Sequence, residues 1–224
     1  MTLVAFDFDG TLSDSEMTVL LGERCDNVGL AGDAGSVADR MAAITRRAMN
    51  DEIGYAESLR RRCALLEGLD VAEAEAAFDG VRVRPGAADV IEHLRAEGVY
   101  VAILTGGFER GVRAALDAAE VGVDATVANR LPAAEGVLAG EVEGPLVEGT
   151  KDDALEVLAA ATGTDRENTV AVGDGANDLP MLEAAGLAVG FDPKPAVEPG
   201  CDAVVGTVDG LSDLLAAEGV LTRP

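Results

Sequence analysis

The stretch Leu3-Val4-Ala5-Phe6-Asp7-Phe8-Asp9-Gly10-Thr11 constrains this chain more than any other. An apolar, strand-forming run delivers two carboxylates, one residue apart, into a Gly-Thr turn. Residues at i and i+2 of a strand share a face. Two like charges held that close repel, and burial strengthens the repulsion, so a compensating partner is required. A bound cation is the obvious candidate. The bland alternative is a surface turn that happens to be acidic, although Asp is disfavoured in strand-forming sequence. A calcium loop of the EF-hand kind fails on spacing: it requires glycine at its sixth position, where counting from Asp7 gives Leu12.

Beyond residue 80, strand and helix patterns alternate. Pro85-Gly86 opens an amphipathic helix carrying Val90, Ile91 and Leu94, stopped by Gly98. The single histidine, His93, lies on it and reads as a surface or half-buried residue. Residues 99–104 are continuously apolar, as in a strand buried on both faces, and end in the Gly-rich turn Thr105-Gly106-Gly107-Phe108. A helix follows to Glu120, then a short strand at 125–128 and a small hairpin at 137–142. Residues 150–161 form a helix with Lys151 in its first turn. Residues 169–172 form a strand that runs into Gly173-Asp174-Gly175-Ala176-Asn177-Asp178. Late strands at 187–189 and 203–205 and a closing helix at 210–217 complete the pattern. The alternation predicts an α/β fold, a Rossmann-like doubly wound parallel sheet.

Residues 15–80 interrupt this order with helical periods and no convincing strand. Apolar faces recur at Met17, Leu20 and Leu21, at Val37, Met41, Ile44 and Met49, and at Tyr55, Leu59, Leu65 and Leu66, with a break near Asn50-Asp51. Asp70 followed by Glu73 resembles a capping box opening a helix to Phe78. The expected organisation is a core domain of residues 1–14 and 81–224 and an inserted helical cap of residues 15–80.

Three strands end in polar groups: Asp7 and Asp9, then Thr105, then Asp174 and Asp178. In open parallel sheets ligands bind at that carboxyl edge, so these motifs should meet in space. Asp7, Asp9 and Asp174 offer oxygens to one hard cation, and so few carboxylates suit Mg2+ better than Zn2+. Lysine is rare, at Lys151 and Lys194 alone. A cation in a helix's first turn opposes the helix dipole, which, in a chain so poor in lysine, favours a functional Lys151 over a solvated surface one. Thr105 with the amides of Gly106 and Gly107 would make a small anion cradle.

Together these elements resemble the haloacid dehalogenase superfamily. DFDGT supplies its first motif, Thr105 its second, Lys151 its third and GDGANDLPML, from Gly173 to Leu182, its fourth. A helical insert between the first two motifs is the superfamily's first cap type. Asp at the second carboxylate implies phosphoryl transfer rather than dehalogenation. The stretches Thr105-Gly106-Gly107-Phe108, Ala128-Asn129-Arg130-Leu131, Gly140-Glu141-Val142-Glu143-Gly144 and residues 170–178 narrow the resemblance to the phosphoserine phosphatase family. Glu16 stands at the position of that family's substrate-binding Glu. Ser58-Leu59-Arg60-Arg61-Arg62 resembles the segment with its substrate-binding Arg, and Arg62 aligns best. Thr105 departs from the usual Ser and keeps the hydroxyl.

The resemblance implies Mg2+-dependent hydrolysis of O-phospho-L-serine through an aspartyl-phosphate. Asp7 would be nucleophile, Asp9 general acid and base, and Lys151 a charge partner. Mg2+ would be held by Asp7, the backbone carbonyl of Asp9, and Asp174. Asp178 would orient Lys151 or a metal-bound water. Thr105, Gly106, Gly107 and Asn177 would meet the phosphate, Glu16 the ammonium and Arg62 the carboxylate. Met49, Tyr55 and Phe108 wall the pocket or pack the core, and the cap opens and closes over it. Rival readings are a related phosphatase for a phosphosugar or nucleotide, transfer of the phosphoryl group to an acceptor alcohol, and a non-catalytic phosphate- or metal-binding module. A sugar offers no zwitterion for Glu16 and Arg62, and binding alone needs no nucleophile.

At 224 residues the chain is one compact unit or a core domain carrying an insertion, and with 3% aromatics and no Trp its core must come from Val, Leu, Ala and Ile. Its formal net charge of −24 argues against nucleic acid or an anionic membrane as partner, since both are polyanions. Cys25, Cys63 and Cys201 match no metal or redox spacing. No spanning segment or signal peptide is evident, so a cytoplasmic monomer or homodimer is expected. Self-repulsion at this charge destabilises a compact fold, and the screening length falls from about 10 Å at 0.1 M salt to about 3 Å at 1 M. The chain reads as a halophile's protein. Circular dichroism should show cooperative folding in molar salt and its loss in dilute buffer; an intact cooperative fold without salt contradicts this.

Overall fold

The computed structural model describes residues 1–30, 32, 35–50 and 52–222. Asp51, part of the expected break at Asn50-Asp51, lies outside them. Six parallel strands form one sheet in the order β3-β2-β1-β6-β7-β8. They are β1 (Leu3–Phe6), β2 (Tyr100–Phe108), β3 (Ala125–Asn129), β6 (Thr169–Gly173), β7 (Leu187–Phe191) and β8 (Ala203–Val205). Helices α5 (Ala87–Ala96), α6 (Glu109–Ala118), α7 (Lys151–Thr162), α8 (Leu179–Ala184) and α9 (Val208–Ala217) flank it. The doubly wound α/β sheet read from the sequence is the fold. Apolar packing forms two layers: Val4 and Phe6 face one core, Leu3 and Ala5 the other. That split is the period-two alternation of a strand covered on both faces.

Register decides where the polar residues go. Leu3 pairs with Tyr100 on one side and with Thr169 on the other. Phe6 is therefore level with Ile103 and Val172, and Asp7 extends the ladder by donating its N–H to the Val172 carbonyl at 2.8 Å. The carboxyl ends of β1 and β6 thus finish side by side, next to β2, which runs on past them to Phe108, and the sheet order reverses at β1.

Two local expectations fail. No turn follows Leu104: β2 continues through Thr105, Gly106 and Gly107, with a register shift between Leu104 and Phe108 before Phe108 pairs with Asn129. The glycines serve a strand irregularity that bends the backbone, not a turn. The hairpin also lies earlier than 137–142, as β4 (Ala133–Ala134) against β5 (Val137–Leu138). Its turn residues Glu135 and Gly136 both have positive φ, 52° and 87°, the condition for a tight two-residue hairpin loop.

Helices α1 (Met17–Asn27), α2 (Val37–Met49), α3 (Tyr55–Ala64) and α4 (Val71–Phe78) intervene between β1 and α5. Asp26, near the end of α1, accepts from Ser36 Oγ at 2.7 Å and from the Val37 N–H at 2.6 Å, which fixes the start of α2. Half of the expected capping box forms. Asp70 accepts from the Ala72 N–H at 2.8 Å, whereas Glu73 pairs with Arg24 instead of turning back. A competing cation on α1 claims that carboxylate. The inserted helices join the rest of the chain through backbone: Gly68 N–H to Leu138 O, Leu138 N–H to Leu69 O, and Val71 N–H to Gly136 O, at 2.8–2.9 Å. They also share an apolar seam, where the Phe78 and Phe108 rings lie 6.2 Å apart. Among the described residues no helix is long and apolar enough to cross a membrane. His93 lies on the surface of α5 and meets Glu97 at 3.2 Å.

Gly111 of α6 sits in that seam. A Cβ there would stand 2.6 Å from Met17 Sδ and 2.9 Å from the Phe78 ring. Gly111→Ala gains about 1 kcal/mol of helix propensity but overpacks the seam by about 1–3 kcal/mol. We expect a net loss of about 1 kcal/mol by denaturant unfolding in molar salt; a gain in stability would show that the seam yields freely.

Candidate active site

The ends of β1 and β6 and the start of α7 place a cluster of charge at the sheet's carboxyl edge. Asp7, Asp174, Asp178 and Lys151 are all buried, at 3%, 8%, 0% and 3% exposure. One oxygen from each carboxylate lies within 4.8 Å of the others. Lys151 is the first residue of α7, and its ammonium reaches back to donate to Asp7 Oδ1 and Asp178 Oδ1. The other oxygen of Asp178 accepts from the Asp174 and Gly175 N–H groups at 3.0 and 2.8 Å. Asp178 thereby orients the lysine and holds the loop after β6. Gly10 makes the close approach possible: its φ is +90°, and a Cβ would meet the Asp174 carboxylate at 2.6 Å.

The electrostatics follow from crowding. Burial, then the Asp178 charge, raise Asp7 to about 8 against the pull of Lys151. Burial, then Glu16, push Asp9 well above the usual carboxylate range. Burial works against the Lys151 ammonium, but Asp178 and Asp7 outweigh it and keep the lysine charged. Three buried carboxylates against one buried ammonium leave an excess of negative charge. Oxygen-only donors of this kind fit a hard divalent cation such as Mg2+. The side-chain cluster is Asp7, Asp174 and Asp178; the Asp9 carboxylate points elsewhere. Its Oδ2 accepts from the Met17 N–H at 3.4 Å, and its Oδ1 is buried without a partner.

Beside the cluster is a cavity of about 220 Å³ lined by Tyr55, Gly106, Leu146, Thr150, Lys151 and Asn177. A broader depression of about 560 Å³ lies at Asp165, Arg166, Glu167, Ala185 and Gly186, just before β6 and β7 begin and hence at the opposite edge. Thr105 is buried beside the site and its Oγ1 accepts from the Gly107 N–H at 2.9 Å. The expected cradle is therefore altered: the Gly107 amide is already engaged, and the Thr105 hydroxyl keeps its proton to donate. Asn177 donates to Asp178 Oδ1 at 3.4 Å.

The inserted helices bring further residues to the edge. Glu16 precedes α1 and makes no capping bond. Its surface is open, yet its carboxyl is raised by partial burial, with Lys194 and Arg62 opposing and Asp174 adding to the rise. Arg62 of α3 donates to Thr18 Oγ1 at 3.3 Å, and its Nε is buried without a partner. Tyr55 crosses to Gly106, where a Cβ would collide with its hydroxyl. Phe108 packs in the core, while Met49, 68% exposed, belongs to neither wall nor core. Lys194 is the residue that sequence reasoning passed over. Its ammonium lies 3.1 Å from Asp174 Oδ2, and its N–H donates to the Asp174 carbonyl at 2.9 Å. Its rarity, one of two lysines, was the available signal.

A folded state that keeps a proton on Asp7 to about pH 8, where the unfolded chain loses it near pH 3.9, binds more protons in between. Stability of the chelator-treated protein should therefore fall as pH rises from about 4 to about 8. Asp7→Asn should flatten that fall in denaturant unfolding at molar salt; parallel pH profiles for the two proteins contradict the assignment.

Residues 4–183 match the haloacid dehalogenase-like hydrolase family. The chain is 54% identical over 220 residues to a phosphoserine phosphatase of Halobacterium salinarum, covering 98% of this chain and all of the relative. A solved phospho-aspartyl intermediate analogue of phosphoserine phosphatase superposes with a TM-score of 0.84 at 33% identity, covering 96% of this chain and 98% of that one. A substrate-bound phosphoserine phosphatase complex superposes with the same score at 32% identity, over 96% and 97%. The chain belongs to the haloacid dehalogenase-like hydrolases and, within them, to the phosphoserine phosphatase family.

Proposed function

We propose that this hydrolase cleaves O-phospho-L-serine to serine and phosphate through an aspartyl-phosphate on Asp7. The observation that carries the reading is the buried Asp7 carboxylate beside Lys151, with Arg62 and Glu16 brought to the same edge. It is supported by the similarity to phosphoserine phosphatases over the whole chain.

A carboxylate approaching a phosphate dianion meets about 4 kcal/mol of repulsion per unit pair at 4 Å and an effective dielectric of about 20. Mg2+ held by Asp7, the Asp9 carbonyl and Asp174 would offset that repulsion and withdraw charge from the phosphoryl oxygens. Lys151 supplies the fixed positive charge next to Asp7 Oδ1. Asp7 attacks phosphorus as the serine oxygen departs. Asp9, whose burial favours the protonated form, gives that oxygen its proton and then takes one from the water that cleaves the acyl phosphate. The Thr105 hydroxyl donates to a phosphoryl oxygen, with Gly106, Gly107 and Asn177 alongside. Glu16 pairs with the substrate ammonium. Arg62 forks onto the carboxylate, a geometry that suits guanidinium.

On this reading residues 15–80 act as a cap that opens for substrate and then excludes water from the phosphoryl-enzyme. The enzyme works in a reducing, salt-rich cytoplasm, a view supported by the net charge of −24 and the three free cysteines.

Phosphate release in molar salt with Mg2+ should favour L-phosphoserine over phosphosugars, nucleotides and phosphothreonine. Arg62→Ala should lower kcat/KM for phosphoserine by about 100-fold, mostly through KM, as expected for losing a charged two-point contact. Turnover of other esters but not phosphoserine would overturn the substrate assignment. Turnover retained by Asp7→Asn would overturn the mechanism.

A further inference from the structure

Asn129, the last residue of β3, is fully buried, and both ends of its side chain are engaged. Its Nδ2 donates to the Gly106 carbonyl at 3.1 Å, and its Oδ1 accepts from the Leu146 N–H at 3.1 Å. A carbonyl can only accept and a backbone N–H can only donate, so the orientation of the amide is unambiguous.

The Gly106 carbonyl and the Gly107 N–H belong to one planar peptide unit and point in opposite directions. Holding the carbonyl on Asn129 therefore aims the Gly107 N–H the other way, where it meets Thr105 Oγ1 at 2.9 Å. An oxygen already accepting that bond directs its own proton elsewhere. On the far side of Asn129, Leu146 lines the cavity that Lys151 enters. The chain passes so close at Gly144 that a Cβ there would stand 2.5 Å from Asn129 Oδ1. One side chain thus ties the strand carrying Thr105 to the loop leading into Lys151.

We propose that Asn129 is a positioning residue for phosphate: through the Gly106 peptide it turns the Thr105 hydroxyl proton toward the phosphoryl group, and through Leu146 it sets the distance to the lysine wall. The inference rests on the phosphatase reading above. It gives a role to the Ala128-Asn129-Arg130-Leu131 stretch, which the reaction otherwise leaves unused.

Asn129→Asp tests it, because Asp keeps an acceptor for Leu146 but sets an oxygen against the Gly106 carbonyl. In Mg2+-loaded protein at molar salt, inorganic phosphate should bind the variant about tenfold or more weakly by calorimetry, with KM for phosphoserine rising in step. A side chain that merely packs the core would lower the melting temperature and leave phosphate affinity per folded molecule unchanged; that result overturns the proposal. Should the variant not fold, the wild-type protein decides the matter by NMR. Added phosphate should shift the Gly107 backbone amide and the Asn129 side-chain amide together, and a shift of Gly107 without Asn129, or of neither, counts against the relay. Wild-type protein that binds no phosphate and releases none from phosphoserine would bring down the functional reading and this proposal with it. Normal wild-type behaviour with unchanged phosphate affinity in the variant would remove the role of Asn129 alone.

Discussion

The crowding of like charge around one ammonium governs this structure. Asp7, Asp174 and Asp178 are buried within a few ångströms of each other, and Lys151 answers only part of their charge. Left alone, such a cluster opposes folding, as the raised Asp7 shows. The same imbalance makes the edge receptive to a divalent cation and then to a phosphate. The crowding that burdens the fold is what suits the site to phosphoryl transfer.

Holding that arrangement falls to the rest of the chain. The β1–β6 ladder reaches Asp7 itself, so the backbone of the proposed nucleophile is hydrogen-bonded as part of a central strand. Asp178 acts as a hub, with one oxygen on the lysine and the other on two backbone N–H groups. Lys194 holds the outer oxygen of Asp174. Asp174 and Asp178 thus each keep a bond to a group outside the crowded set, whereas the Lys151 ammonium bonds only Asp7 and Asp178. The inserted helices add Arg62 and Glu16 from the opposite side, anchored by backbone bonds to the β4–β5 hairpin. That anchor bears on how the proposed cap moves, since residues 68–71 are tied to the sheet side while Tyr55 is not.

Much of this was legible from the residues because it is local. A four-residue apolar run ending in two aspartates specifies a central strand and a charged end, and the register needed to bring Asp7, Thr105 and Asp174 together follows from parallel sheet geometry. What escaped depends on distant partners. Gly106 and Gly107 read as a turn because glycine usually ends a strand, yet pairing with Asn129's strand extends β2 past them. The hairpin's position escapes because its turn takes a positive φ at Glu135, a residue type with no preference for it. Met49 fits an apolar period but falls at the end of α2, where nothing covers it. Lys194 and Asn129 carry no local signature of their contacts, which are made through loops that only the fold brings together.

The most direct test of this account is to catch the phosphoryl group on Asp7. Protein mixed with labelled L-phosphoserine and Mg2+ in molar salt, quenched in acid within a turnover and digested, should yield one phosphorylated peptide with the modification on Asp7. That species should disappear as free phosphate accumulates. Phosphate release with no covalent species at any time, or a phosphoryl group on a different residue, would contradict the claim that the buried, charge-crowded Asp7 is the nucleophile.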